Sequence, residues 1–164
     1  MTEMKENFGD FYRLGYSFSN RKLYYLKSDK KGFDGLRFYD GKRIEDWPEG
    51  ITIYFEGEPD EDFLPGGFHW ILVSEKVRQV FMQNDIEGVQ FLPVRAVLYR
   101  TGENLGQYWV LNVIQEVKNL EWNTVRNLDF FRQSTGLFLS GRFKEKLEQA
   151  HATSGAGFDR YKIK

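Results

Sequence analysis

The sequence predicts an α+β fold: a mainly antiparallel sheet with two short amphipathic helices, at about residues 74–84 and 141–151. Three observations carry this. Strand-like runs outnumber helical ones, and the aromatic share of 17% suits pleated surfaces. Residues 89–117 read as one long hairpin. Each predicted helix follows an apolar run and a serine, in similar strand–helix–strand units. At 164 residues, the chain 1–164 is expected to be a single domain with a real core.

The elements follow in order. Met1 to Asp10 is polar and is expected to be disordered. Phe11 to Ser19 mixes aromatics with Gly and Ser and shows no decisive period. Leu23–Leu26 reads as a strand, Lys27 to Gly35 as a charged loop, and Leu36 to Tyr39 as a short strand ended by Asp40-Gly41. After the turn Trp47-Pro48-Glu49-Gly50, residues 51–55 alternate: Ile51, Ile53 and Phe55 face one way, Thr52 and Tyr54 the other. Glu56 to Asp62 holds five carboxylates and no base, and Phe63 to Gly67 reads as closing turn residues.

Phe68 to Val73 is apolar and leads to Ser74, a good N-cap. Val77, Val80 and Phe81 then form an apolar helical stripe, and Gly88 ends the unit. Val89 to Tyr99 and Tyr108 to Val117 pair as the hairpin, with Pro93 marking an edge or a bulge. Phe130–Arg132 and Leu137–Leu139 form a shorter hairpin. Ser140 caps the second helix, whose Phe143, Leu147 and Ala150 share a side; Phe158 to Ile163 is a last strand. Leu72–Phe91 and Phe138–Phe158 thus echo one another, with 17 positions from Ser74 to Phe91 and 18 from Ser140 to Phe158. Caps and glycine stops are generic, so both a common supersecondary unit and true internal similarity fit.

Chemistry-bearing residues are few. There is no cysteine, so disulfides, thiolate metal sites and Cys nucleophiles are excluded. His69 and His151 are far apart and in no HExxH pattern, so no metal site is expected. Ser74 and Ser140 lack a GxSxG setting and read as caps rather than nucleophiles. Gly155-Ala156-Gly157 lacks the third glycine and the following helix of a dinucleotide loop, so no cofactor is expected. Arg21 to Lys31 is basic with Tyr24 and Tyr25 nearby, but Asp29, Asp34 and Asp40 balance it, and the formal net charge is −1; no nucleic-acid partner is expected. No run approaches the roughly 20 apolar residues of a membrane span. The polar, acidic start is unlike a signal peptide, and a cytoplasmic location is expected.

The acidic stretch is the sharpest local charge feature. It reads as a solvated loop tip, as an interface that presents negative charge to a basic partner, or as a calcium loop without EF-hand ligand order. The candidate partner-binding residues are Trp47, Tyr54, Glu56, Glu58, Asp60, Glu61 and Asp62.

Several blocks in order carry a family resemblance: Asp62-Phe63; Ile71 to Val77; Phe91-Leu92-Pro93-Val94; Tyr108 to Val113; Leu137 to Ser140 with its helix; and Gly155 to Phe158. With them the chain, from about residue 23 to 164, resembles the immunity-protein family numbered eleven of bacterial polymorphic toxin systems. The resemblance implies a non-catalytic protein that binds a cognate protein toxin, encoded nearby, and neutralises it by occlusion. Where the family places an Asp-containing motif, this chain has Asn119-Leu120-Glu121-Trp122, so no acidic contact is carried over there. The alternative is a small-molecule-binding or enzymatic domain with an aromatic-lined pocket around Trp70, Trp109 and Trp122, with Glu116 or Glu121 as acid–base groups.

Overall fold

The computed structural model describes residues 10–16, 38, 40–57, 59, 61–67, 70–134 and 136–163. The element order is β1 (Asp10–Tyr16), β2 (Thr52–Phe55), β3 (Phe63–Gly67), β4 (Trp70–Ser74), α1 (Glu75–Gln83), β5 (Val89–Leu98), β6 (Asn104–Val113), α2 (Trp122–Val125), β7 (Phe130–Gln133), β8 (Gly136–Ser140), α3 (Gly141–Gln149) and β9 (Ala156–Lys162). The fold is α+β, as expected, but its strands form two sheets. One has order β2-β5-β6-β4-β3, the other β7-β8-β1-β9. All pairings are antiparallel except β2 with β5.

Both predicted helices form behind their caps, but Ala150, expected on the same side as Phe143 and Leu147, is the exposed C-cap of α3. Ser74 and Ser140 have extended backbones, and their side chains accept from Val77 N and Phe143 N. The buried residues of α1 are Val77, Val80 and Phe81; those of α3 are Phe143 and Leu147. The hairpin β5–β6 pairs Val89 with Val113 and Pro93 with Trp109. Pro93 sits in an internal strand yet costs no ladder bond. Arg95 N donates to Ile51 O on the β2 side, and the Pro93 nitrogen faces that side two residues before β2 pairing begins at Arg95.

One stretch left open by the sequence takes a definite form, and three expectations need correction. Phe11 to Ser19 contains β1, a strand inside the second sheet, paired with both β8 and β9. Asp10, placed in the frayed stretch, is the first residue of β1 and pairs its carboxylate with Arg160 at 2.9 Å. Residues 63–67 are a strand, not a turn: Phe63 pairs with Val73 and Leu64 with Leu72. Pro65 is tolerated because β3 is an edge strand, and the register shifts between Leu64 and Gly67. Finally β6 ends at Val113, not Val117. The Gly88 carbonyl accepts from both Ile114 N and Gln115 N, which turns the chain away. Glu116 then bridges in parallel to Arg132 of β7, joining the two sheets. The expected strands at 23–26 and 36–39 fall largely outside the described residues.

The echo between the two helix units extends further back than the helices. Asp62-Phe63 starts the hairpin β3–β4, and Asp129-Phe130 starts the hairpin β7–β8. Ser74 Oγ donates to Asp62 Oδ1 and Ser140 Oγ to Asp129 Oδ1, each at 2.6 Å. Ser74 N donates to Asp62 O and Ser140 N to Asp129 O, each at 2.9 Å. After each helix comes a non-glycine residue with positive φ, Asp85 or His151, and then a positive-φ glycine, Gly88 or Gly155. The same physical device therefore builds each sheet–helix corner.

The units meet at Phe81, which is 1% exposed. Its ring makes edge contacts with Phe91, Phe130 and Phe143, at centroid distances of 5.4, 5.1 and 4.7 Å. This cluster joins α1, α3 and strands of both sheets. A second cluster (Phe38, Ile51, Ile53, Phe55, Trp70, Tyr108 and others) fills the other face of the five-stranded sheet. A third lies around Phe11, Phe131 and Phe138.

Phe81→Ala should cost about 3–5 kcal/mol, because it empties the junction of both units. Ser140→Ala should cost about 1–3 kcal/mol, because it removes both the cap on Phe143 N and the hydroxyl that Asp129 accepts. Urea unfolding of the two variants checks this, and equal midpoints would contradict it.

Candidate functional site

The acidic loop leaves the sheet at the end of β2 and re-enters it at β3, both edge strands. Its departure point presents Glu56 to solvent, next to buried Phe55. Its middle is held from below: Tyr108, at 8% exposure, donates its hydroxyl toward Pro59 O at 3.1 Å and Glu61 O at 3.4 Å. Its return point is Asp62, which is only 8% exposed, in contrast to exposed Glu56. Both Asp62 oxygens accept hydroxyls, Oδ1 from Ser74 and Oδ2 from Ser154 at 2.8 Å. Asp62 N in turn donates to Ser154 Oγ at 2.8 Å. Asp62 therefore anchors the loop. Glu61 is half-buried, and Glu58 and Asp60 lie outside the described residues.

The two aromatic candidates fall on different sides of the sheet. Trp47 is half-buried; its Nε1 donates to Pro93 O at 3.0 Å and its ring packs beside Phe38 at 6.3 Å. It belongs with the cluster that holds Ile53 and Phe55. Tyr54, between those two residues, points to the opposite face. There it meets Tyr99 edge-on at 6.1 Å, and Tyr99 is 60% exposed. Tyr54, Glu56 and the loop are thus neighbours, whereas Trp47 braces the segment before β2.

On the Tyr54 face, sheet pairing brings further side chains together. Arg95 pairs with Gln107 and Pro93 with Trp109, so these four share one side of the β5–β6 hairpin. Pro93, Arg95 and Gln107 are exposed and Trp109 half-buried. Residues 50–51, 93–95, 104 and 106–107 line an open depression of about 380 Å³ here. Arg95 and Tyr99, which stand on this face, are not among the residues that the sequence singles out. The only signal for Arg95 is that it is the one charged residue in β5, between Val94 and Ala96.

At the other end of this face, Glu75 gathers three donors. Trp109 Nε1 donates to its Oε2, while Arg78 at 2.9 Å and Gln79 at 2.8 Å donate to Oε1. The Arg78 guanidinium also lies 4.4 Å over the Trp109 ring. Burial pushes the Glu75 carboxyl up, but the hydrogen bonds from Gln79 and Trp109 and the charge of Arg78 outweigh it and hold it below the usual glutamate value.

The three tryptophans of the alternative reading do not converge. Trp70 is in the Phe38 cluster, Trp109 borders the Phe81 cluster, and Trp122 borders Phe11 at 6.4 Å. Glu116 faces Arg132 at 3.3 Å, and Glu121 caps α2 with no side-chain bond to it. His151 is exposed just beyond α3, and His69 lies outside the described residues. Among the described residues, no three His, Asp or Glu side chains gather as a metal site, and no helix is long and apolar enough to cross a membrane.

Against known families, residues 17–124 match the model described as Immunity protein family (Imm11). That segment is well over half of the chain and spans β2 through β6 to the middle of α2. The second Asp-Phe hairpin, α3 and β9 lie beyond it, so the blocks at 137–140 and 155–158 are outside the matched segment. No curated protein matches the chain.

The Glu75 cluster has a testable acid dependence. A carboxyl with a lowered folded pKa adds stability above its unfolded value, and that stability is lost as pH falls through the folded value. Melting temperature should therefore drop on acidification below the ordinary glutamate range, and Glu75→Gln should shrink that part of the drop. Identical pH profiles for the two proteins would contradict the assignment.

Proposed function

Because the chain belongs to the Immunity protein family (Imm11), we propose that it binds a cognate protein toxin and neutralises it by covering a surface the toxin needs. Family membership is the observation that carries this reading. The protein acts by contact, without turnover, inside the bacterial cell that makes the toxin. Its partner is a protein of a polymorphic toxin system.

The contact surface starts from the acidic loop. Glu56, Glu58, Asp60 and Glu61 give it a negative field, with Tyr54 beside its departure point as an aromatic anchor. Two features support this use of the loop. Its carbonyls at Pro59 and Glu61 are tied to Tyr108, and its end is tied at Asp62 to Ser74 and Ser154. A loop held from inside loses little entropy when a partner arrives. Asp62, being buried, contributes anchoring rather than contact. Trp47 acts from the opposite side, by bracing the chain that leads into β2.

Growth rescue tests the reading. Co-expression of the chain with the toxin of the neighbouring gene should restore growth, and failure to do so would overturn toxin neutralisation. Changing Glu56, Glu58, Asp60 and Glu61 together to Lys should slow association with that toxin about ten-fold or more at low salt and flatten its salt dependence. An unchanged association rate would remove the loop from the contact surface.

A further inference from the structure

The face beside the acidic loop carries a feature of opposite sign. Among the described residues Arg78, Arg132, Arg142 and Arg160 each pair with a carboxylate. Arg95 is exposed and, like Arg13, Arg43, Arg100 and Arg126, makes no ion pair among the described residues; of these five, it alone lines the open depression of about 380 Å³. Two side-chain amides, Asn104 and Gln107, line it as well. Asn104 uses its Oδ1 to accept from Gly106 N at 2.9 Å, which leaves its NH₂ group as the outward donor. A Cβ on Gly106 would meet nothing within 4 Å, so the approach over this strand is open.

Two amide side chains and one uncompensated guanidinium around a concave surface match the chemistry of a carboxylate. The guanidinium fork fits both carboxylate oxygens, and further along the same face Tyr54 meets Tyr99 edge-on as a neighbouring aromatic pair.

The geometry points to Arg95 as the receptor for an Asp or Glu side chain of the toxin, seated in this depression between the β2 start and the β5–β6 hairpin. This inference rests on the proposed function and adds a specific contact to it. The acidic loop speeds encounter through its field, and Arg95 fixes register by admitting one acidic group of the partner. A partner docking here presents a basic patch to the loop and a carboxylate to Arg95.

The test is calorimetric titration of the full chain with the toxin domain of the neighbouring gene. Arg95→Glu should weaken affinity roughly thirty-fold or more, as for an interface anchor. Arg95→Lys should recover only part of that loss, because an ammonium cannot form the paired bonds. Arg126→Glu makes the same change in net charge at the exposed C-cap of α2 and should leave affinity within about two-fold, as for a screened distant charge. Melting temperatures of all three should match wild type, since Arg95 and Arg126 are exposed. If the wild-type chain binds the toxin and Arg95→Glu binds equally well, or if Arg126→Glu is equally damaging, the Arg95 contact is wrong while the proposed function stands. If the wild-type chain does not bind the toxin, both fall.

Discussion

The Asp62 carboxylate is the constraint on which the rest depends. A carboxylate at 8% exposure is stable only if its oxygens are satisfied, and here Ser74 and Ser154 each donate a hydroxyl to it. Those two serines lie 12 and 92 residues away. One bond therefore fixes the start of α1, and the other fixes the turn after α3 against β3. Gly155 completes the joint: its φ is +79°, and a Cβ there would lie 2.2 Å from Phe63 O. No side chain fits that approach, so the two units are locked at a point where only backbone can stand. The acidic loop ends on the same carboxylate.

The second unit uses Asp129 in the same way, with one change. Its second partner is Arg142 of α3 itself rather than a distant serine. The first corner thus clamps across units and the second closes on itself. Phe81 then supplies the apolar counterpart, since its ring touches Phe130 and Phe143 of the other unit as well as Phe91 of its own sheet. Polar clamp and aromatic junction together explain why two short helices suffice to hold two sheets in one core.

What was legible in the sequence was what local chemistry decides. The caps Ser74 and Ser140, the stripes behind them and the turn between β5 and β6 all act within a few residues. β1 was hidden because its partners, Ser140 and Lys162, lie at the other end of the chain, and Gly15 interrupts its pattern. β3 was hidden because Pro65, Gly66 and Gly67 are turn formers that an edge strand can still accept. The end of β6 was misplaced because Ile114 to Val117 keeps a strand-like composition, and only the Gly88 carbonyl diverts it. At the site, alternation placed Tyr54 correctly on the opposite side from Ile53. Asp62 looked like one carboxylate among five, because the serine that completes its shell is remote in sequence. Arg95 carried only its charge as a signal, and its significance needed the depression and the spacing of other carboxylates around it.

The molecule has a scaffold, the two Asp–Ser corners and the Phe81 junction, and the proposed contact face lies apart from it along β2, β5 and β6. Amide hydrogen exchange of the chain alone and with saturating cognate toxin tests that division most directly. Added protection is expected in 50–57, 93–99 and 104–107, with α3 and β7–β8 unchanged. Protection confined to α3, β8 and β9, with 93–107 unaffected, would contradict it.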